Sequence, residues 1–160
     1  MKHTLLFLLM ICACTLQATA TGKQPRLTDD ELMTLVQKQT FRYFWDFAHP
    51  ESGLARERSN DRLEIATIGG SGFGVMAIIV GVERGFITRE QGAERLLKIV
   101  EFLNKADSYH GIWAHWMDGA TGKTIPFSRK DDGADLVESA FMFEGLLAAH
   151  QYFTHDNPTE

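Results

Sequence analysis

Cysteine is almost absent from this chain of 160 residues, which has only Cys12 and Cys14. Once the leader segment that carries both is removed, the chain can form neither a disulfide nor a zinc site built on thiolates. Its stability must then come from the packing of its core. His115 also has no second histidine or cysteine at the spacing that a zinc site needs, so we expect no metal.

An excess of positive charge is missing as well. The chain has 16 Lys and Arg against 21 Asp and Glu, for a formal net charge of −5. The basic residues are scattered, whereas a protein that binds nucleic acid presents them as a concentrated surface. We therefore exclude nucleic acid as a partner. The remaining composition, 44% hydrophobic and 23% charged, is that of an ordinary globular domain.

The chain has no uninterrupted apolar run long enough to cross a bilayer, which takes roughly 20 residues. Its first apolar stretch, Leu5–Ile11, follows Lys2 and His3 and has the length of a signal-peptide core. We predict that residues 1–20 are a signal peptide and that residues 21–27 are a linker.

Two processing sites are readable at the end of this leader. Ala18-Thr-Ala20 fits cleavage by a signal peptidase, whereas Ile11-Cys-Ala-Cys14 resembles a bacterial lipobox, in which Cys14 would be acylated. Both routes predict export, either to the periplasm or to the outer membrane or cell surface as a lipoprotein. The lipid on Cys14 would then be the sole link to a membrane.

Helical periodicity and capping signals predict four helices. Thr28–Glu31 and Thr88–Gln91 are capping boxes, which open helices. The predicted helices run over about residues 28–48, 75–83, 88–106 and 132–153. The glycine-rich stretch before the second helix matches neither a Walker loop nor a dinucleotide fingerprint, so we expect a helix entry packed closely against its neighbours.

Residues 111–127 change to an alternating pattern, with a turn at Asp118–Lys123. This predicts a small β-hairpin between helices. Trp113, His115 and Trp116 on this hairpin are candidates for a sugar-binding surface, and we expect one tryptophan in the core and the other in the site. The more ordinary explanation is that a tryptophan simply fills the core.

Acidic residues crowd the start of the last predicted helix. Asp131, Asp135 and Glu138 have the spacing that places residues on one helix face. Glycosidases use a pair of carboxyl groups, about 5–5.5 Å apart in retaining enzymes and roughly 6.5–9.5 Å apart in inverting ones. Such acids could equally do no more than complement the dipole at the helix N-terminus. Both explanations remain open at this stage.

Arginines occur in the charged loop between the first two helices. Arg56, Arg58 and Arg62 could line the rim of a cleft and donate hydrogen bonds to sugar hydroxyls. Solvated loop charge is the alternative explanation for at least two of them.

Four motifs in a fixed order give the sequence a family resemblance: Phe41-Arg-Tyr-Phe-Trp-Asp46, Thr67-Ile-Gly-Gly-Ser-Gly-Phe-Gly74, Gly111-Ile-Trp-Ala-His-Trp-Met-Asp118 and Asp132-Gly-Ala-Asp-Leu-Val-Glu-Ser-Ala140. Together they resemble the glucoamylase-like domain of bacterial exported proteins, a group that includes the family 144 glycoside hydrolases, which are endo-β-1,2-glucanases. The resemblance covers residues 28–153. It implies an all-α fold that is part of an (α/α)6 toroid built of helical hairpins, inverting hydrolysis of a β-glucan, and no cofactor.

The resemblance also implies roles for individual residues. Asp131, Asp135 and Glu138 fall on the acid-lined catalytic cleft, and Trp113, His115 and Trp116 fall on its sugar-binding wall. Members of the group run to several hundred residues, so residues 28–160 resemble a truncated N-terminal part, and further catalytic carboxylates would be expected beyond Glu160.

The function predicted from the sequence is an exported glycoside hydrolase of the inverting endo-glucanase type, active when the C-terminal part of the toroid is present and inactive as residues 28–160 alone if that part is required. It would act on an oligo- or polysaccharide, with β-1,2-glucan as the first choice of β-linked glucan, by carboxylate general acid/base chemistry. The alternative is a non-catalytic glycan-binding or scaffold remnant of the same fold. A helical interaction domain that does not respond to glycans is a third option.

Overall fold

The computed structural model describes residues 26–60 and 62–160. The predicted signal peptide, the lipidation site at Cys14 and most of the predicted linker lie outside these residues. Contacts divide the chain into two units after Met33, and the unit Thr34–Glu160 contains everything described below except the first turn of the first helix. Within the described part of the chain, no helix combines the length and apolar character needed to cross a membrane.

The described residues form four α-helices and five short strands. The helices are α1 (Asp29–Trp45), α2 (Ile68–Glu83), α3 (Arg89–Leu103) and α4 (Leu136–Tyr152). The strands are β1 (Ile65–Thr67), β2 (Ser108–Tyr109), β3 (Ile112–Trp113), β4 (Trp116–Asp118) and β5 (Thr124–Ile125). The predicted helix count and predominance of helix are therefore confirmed for the described residues.

Both predicted capping boxes are confirmed. The Glu31 amide donates to the hydroxyl of Thr28 at 3.3 Å, and the Thr28 amide donates to the Glu31 carboxylate at 2.8 Å. At α3 the Gln91 amide donates to the Thr88 hydroxyl at 3.1 Å, and the Thr88 amide donates to the Gln91 side chain at 2.9 Å. These bonds join residues three positions apart, which is why the sequence predicts them well.

Helix α2 begins at Ile68 rather than near Val75, so the predicted boundary was wrong. The glycine-rich stretch lies inside the helix, against α4. A Cβ atom at Gly72 would overlap the carbonyl oxygen of Phe141, and one at Gly145 would lie 2.6 Å from the carbonyl oxygen of Gly72. The expected close packing is thus confirmed, and it outweighs the poor helix propensity of glycine.

The predicted hairpin at residues 111–127 is confirmed only in part. Strands β4 and β5 pair antiparallel, but β3 pairs with β2 instead, around His110 and Gly111, which both have positive φ. Strand β4 also pairs with β1, which gives a three-stranded sheet in the order β1-β4-β5. The sequence pattern did not indicate this pairing, because β1 lies far upstream of the hairpin.

The main core of the Thr34–Glu160 unit lies where α2, α3, α4 and the sheet meet. Its most deeply buried apolar side chains include Ile68, Val75 and Ile78 from α2, Ile99 from α3, Met117 from β4 and Met142 from α4. Just before β4, the carbonyl of His115 accepts a hydrogen bond from the Ile68 amide at the start of α2, and the carbonyl of Trp113 accepts one from the Asp135 amide at the start of α4. That junction carries the candidate site.

Candidate active site

The acidic residues singled out in the sequence converge on one histidine. Nδ1 of His115 lies 3.0 Å from Oδ2 of Asp131 and 3.4 Å from Oδ2 of Asp135. Nε2 of His115 lies 3.9 Å from Oε1 of Glu138. All four side chains are between 18% and 27% exposed, so the group is sheltered but open to solvent. The two aspartates face one ring nitrogen and the glutamate faces the other.

The geometry that the spacing predicted for these acids was wrong. Helix α4 starts at Leu136, so Asp131 and Asp135 precede it and do not share a helix face with Glu138. Asp131 lies in a tight loop in which its carbonyl oxygen accepts hydrogen bonds from the amides of Phe127 and Ser128, at 2.8 and 3.0 Å. The acids meet because this loop folds back onto the hairpin, which helical spacing could not reveal.

Asp135 explains why α4 begins where it does. It is the N-cap residue, and its Oδ1 accepts hydrogen bonds from the amides of Val137 and Glu138 at 2.8 and 3.1 Å. Its other oxygen, Oδ2, faces His115. The helix-terminal explanation and the active-site explanation are therefore compatible for this carboxylate, because each involves a different oxygen.

Backbone contacts tie the hairpin to the start of α4. The Asp135 amide donates to the carbonyl of Trp113 at 2.8 Å, and Ala114 bridges to Ala134. The fully buried Ser139 accepts from the Trp113 amide at 3.0 Å and donates to the Trp113 carbonyl at 3.2 Å. These bonds fix the position of His115 relative to the acids.

Glu138 has a second set of partners that sequence analysis missed. Its Oε2 accepts a hydrogen bond from the Gly69 amide at 2.8 Å, and the Thr67 hydroxyl donates to the same oxygen at 3.4 Å. Gly69 lies 69 residues upstream. The glycine-rich stretch was visible in the sequence, but nothing in it indicated this partner.

Phe127 is another residue that sequence analysis missed. Its ring stacks on the imidazole of His115, with centroids 4.1 Å apart and an interplanar angle of 5°. Phe127 is 45% exposed, so it is an accessible aromatic ring directly beside the acid cluster. The sequence did offer one signal: Phe127 ends the returning strand of the predicted hairpin, and that strand pairs with the one that follows His115.

The two hairpin tryptophans do not divide between core and site as expected. Trp116 is only 7% exposed and packs edge-on against Phe127, at 4.7 Å between ring centroids. Trp113 is half-buried against the core, and its indole N–H donates to the carbonyl of Leu103 at 3.3 Å. We expected one tryptophan to present an exposed ring in the site, but the exposed ring there belongs to Phe127.

The arginines of the long loop differ from each other. The guanidinium of Arg56 donates to the carbonyls of Phe47 and Leu63 and lies over the Phe47 ring, so it holds the loop together rather than offering a free rim ligand. The side chain of Arg58 is exposed and pairs with Glu57 at 3.2 Å, which agrees with the explanation of solvated loop charge.

Three groups of the site could also act as metal ligands. One atom each from His115, Asp131 and Asp135 lie within 4.8 Å of one another. An imidazole with two carboxylates suits several divalent cations. The same contacts are equally those of hydrogen-bonded His–carboxylate pairs, which are common without a metal. Sequence spacing had grouped the two aspartates with each other, but it gave no reason to place His115 beside them.

The turn that ends β4 supports the sheet beside the site. Burial acts to raise the pKa of Asp118, but hydrogen bonds from Thr121 and from the Ala120 amide outweigh it, so the pKa lies below its ordinary value. An ionised Asp118 therefore holds this turn closed.

Comparison with known proteins identifies close relatives, although no family model matches the chain. An exo-β-1,2-glucooligosaccharide sophorohydrolase of Parabacteroides distasonis is 54% identical over 135 residues, which are 84% of this chain and 19% of that protein. The crystal structure of a protein from Bacteroides uniformis, named a candidate glucoamylase, is 83% identical with a TM-score of 0.83 and matches 85% of this chain and 34% of its own.

A solved structure with bound sugar is also similar. The endo-β-1,2-glucanase of Chitinophaga pinensis, in complex with sophorotriose and glucose, is 53% identical with a TM-score of 0.80. It matches 84% of this chain and 34% of its own. The chain thus spans about a fifth of the length of the curated relative and about a third of these solved chains. The resemblance seen in the sequence is confirmed: this chain is a homologue of one portion of the glucoamylase-like proteins that include the β-1,2-glucanases.

Proposed function

We propose that this chain forms part of a β-1,2-glucan hydrolase and contributes one acid-lined wall of its active site. The observation that carries the proposal is the convergence of Asp131, Asp135 and Glu138 on His115. Carboxyl groups in such a cluster can protonate a leaving glycosidic oxygen and activate a water molecule. The relatives named as β-1,2-glucan hydrolases support this choice of substrate.

The distances constrain which acids can work as a pair. Oxygens of Asp131 and Asp135 lie within 4.8 Å of each other, which is shorter than the roughly 6.5–9.5 Å that leaves room for water in inverting enzymes. An inverting mechanism would therefore pair Glu138 with Asp131 or with Asp135 across the imidazole, or would use a carboxylate supplied from elsewhere in a longer protein.

The exposed Phe127 ring supplies a surface suited to a sugar. It stands beside the acids, stacked on His115, and could contact the C–H face of a pyranose. In this proposal the two tryptophans do not contact the sugar: Trp113 packs against the core, and Trp116 packs against Phe127. His115 would exchange hydrogen bonds with the substrate or with the three carboxylates.

The wider architecture and the cellular location complete the proposal. The four helices would form part of an (α/α)6 toroid of helical hairpins. The leader would direct export to the periplasm or, after acylation of Cys14, to the outer membrane or cell surface. Labelling with palmitate in a bacterial host, with Cys14→Ser as the control, tests the lipid anchor; label that persists in the serine variant would contradict it.

Incubation with β-1,2-glucan, followed by measurement of reducing sugar, tests the hydrolase. We expect release of short β-1,2-oligosaccharides and a fall of about 10²–10⁴-fold in kcat for Asp131→Asn, because a positioned acid or base contributes that much. Asp132→Asn is the matched control, since Asp132 is exposed and belongs to the same loop. Equal rates for the Asp131→Asn variant and the unmodified chain would refute the assignment of Asp131.

Calorimetry with β-1,2-oligosaccharides separates the remaining options. Binding without release of reducing sugar would favour the non-catalytic glycan-binding remnant. Absence of both binding and cleavage of β-glucans is the result that the third option, a helical interaction domain, predicts.

A further inference from the structure

The N-terminus of α2 is capped by a side chain from another helix, α4. Thr67 is its N-cap residue and has the extended backbone expected there, but its side chain makes no capping hydrogen bond. The Gly69 amide instead donates to the carboxylate of Glu138 from α4. The first amides of a helix have no partner within the helix and carry partial positive charge, so a carboxylate is a favourable acceptor.

Both donors bind the same oxygen of Glu138. The Gly69 amide lies 2.8 Å from Oε2 and the Thr67 hydroxyl lies 3.4 Å from it, whereas Oε1 is the oxygen nearest His115. We propose that Thr67 and Gly69 are positioning residues, which anchor Oε2 of Glu138 at the start of α2 so that Oε1 is directed at His115. Only the catalytic consequence of this anchor rests on the proposed function.

The anchor and the histidine belong to one rigid unit. The Ile68 amide donates to the carbonyl of His115 at 3.2 Å, and Thr67 pairs with Trp116 across strands β1 and β4. The buried Ser71 hydroxyl donates to the Thr67 carbonyl at 2.5 Å. Glu138 and His115 are therefore both hydrogen-bonded to the same short segment, residues 67–69.

Gly69 is glycine because of Glu138. Its φ is not positive, so its backbone conformation does not require glycine. A Cβ atom there would lie 2.5 Å from Oε2 of Glu138 and 2.9 Å from its Cδ. Alanine at this position would thus leave the helix intact, since alanine favours helices, but would displace the carboxylate.

Nuclear magnetic resonance of the 160-residue chain, labelled with ¹⁵N-glycine, tests the contact directly. In Glu138→Ala we expect the Gly69 amide proton to shift upfield, because its hydrogen bond to the carboxylate is lost. The Gly85 amide, beyond the other end of α2, serves as the internal reference. A Gly69 signal that does not move would overturn the proposal.

A double-mutant cycle tests whether Gly69 acts through Glu138. Gly69→Ala should shift the ring signals of His115 in the unmodified chain and leave them unchanged in Glu138→Ala. The Tm of the double variant Gly69→Ala/Glu138→Ala should equal or exceed that of Glu138→Ala alone. Removal of the Glu138 carboxylate leaves free the space that the new methyl group at position 69 needs. Equal shifts of the His115 signals in both backgrounds would overturn the proposal.

Kinetics on β-1,2-oligosaccharides test the catalytic consequence. Thr67→Val should lower kcat by about 2–10-fold with KM retained, as expected for the loss of one hydrogen bond, and Thr67→Ser should restore it. An unchanged kcat in Thr67→Val would overturn the role of Thr67. If the unmodified chain releases no sugar, hydrolysis by this chain alone is refuted, while the two resonance experiments still decide the positioning role.

Discussion

Asp135 shows how one residue can serve both folding and chemistry. Its Oδ1 caps α4 and its Oδ2 faces His115. The two roles can be separated by mutation, because asparagine caps a helix about as well as aspartate whereas alanine does not.

We predict that Asp135→Asn leaves the free energy of unfolding within about 0.5 kcal/mol of the original, whereas Asp135→Ala lowers it by about 1 kcal/mol. Hydrolysis of β-1,2-glucan should be impaired in both variants. Urea denaturation and reducing-sugar assays measure the two effects. Full activity in the asparagine variant would remove Asp135 from the catalytic group.

Asp118 makes the hairpin turn sensitive to acid. Hydrogen bonds from Thr121 and Ala120 hold its pKa below the ordinary value of 3.8, despite the opposing effect of burial. A lowered folded-state pKa means that the stabilisation is fully present above pH 3.8 and is lost as the pH falls through the folded-state pKa.

We therefore predict that the unmodified chain loses more stability than Asp118→Asn when the pH is lowered from 6 to about 3, a range set by the direction of this shift. Urea denaturation at the two pH values measures the difference. Identical losses in the two proteins would show that Asp118 does not couple the turn to pH.

At the scale of elements, the contact between α2 and α4 is the decisive feature. It depends on backbone approaching backbone, at Gly72 and Phe141 and at Gly145 and Gly72. The sequence predicted close packing in this region but placed the start of α2 too late, because a run of glycines ordinarily interrupts a helix.

We predict that Gly72→Ala lowers the free energy of unfolding by about 1–3 kcal/mol, since the new methyl group overlaps a main-chain carbonyl that cannot rotate away. Gly133→Ala is the control, because no atom lies within 4 Å of a Cβ built there and its φ is not positive. Chemical denaturation compares the two. Equal stability would mean that the helices can separate without cost.

At the scale of the whole molecule, helices α2 and α4 expose large apolar side chains. The exposed residues are Phe73, Met76 and Val80 on α2 and Phe141, Phe143 and Leu147 on α4. The rings of Phe73 and Phe141 are 5.2 Å apart, so these two form a continuous patch. Exposed apolar patches of this kind promote association.

We predict that Leu147→Glu reduces self-association of the chain, because Leu147 is 64% exposed and its replacement removes a large exposed apolar side chain from α4 and puts a charge in its place. Gln151→Glu adds the same charge at an exposed polar position one turn along α4 and should have a smaller effect. Light scattering across a concentration series measures both. An unchanged concentration dependence in Leu147→Glu would exclude Leu147 from the associating surface.

The sequence by itself determined what depends on nearby residues. The two capping boxes, the four helices and the choice of Asp131, Asp135, Glu138 and His115 as candidates could all be read from local patterns. Capping bonds join residues three apart, and amphipathic periodicity repeats within a few turns, so each is recorded in a short stretch of chain.

Only the tertiary structure decided how those residues meet. The loop that brings Asp131 to His115, the stacking of Phe127 and the anchoring of Glu138 by Gly69 all depend on where distant segments pack. The last of these joins residues 69 positions apart. No local pattern encodes such a contact, because it forms only when the packing of α2 against α4 brings two helix ends together.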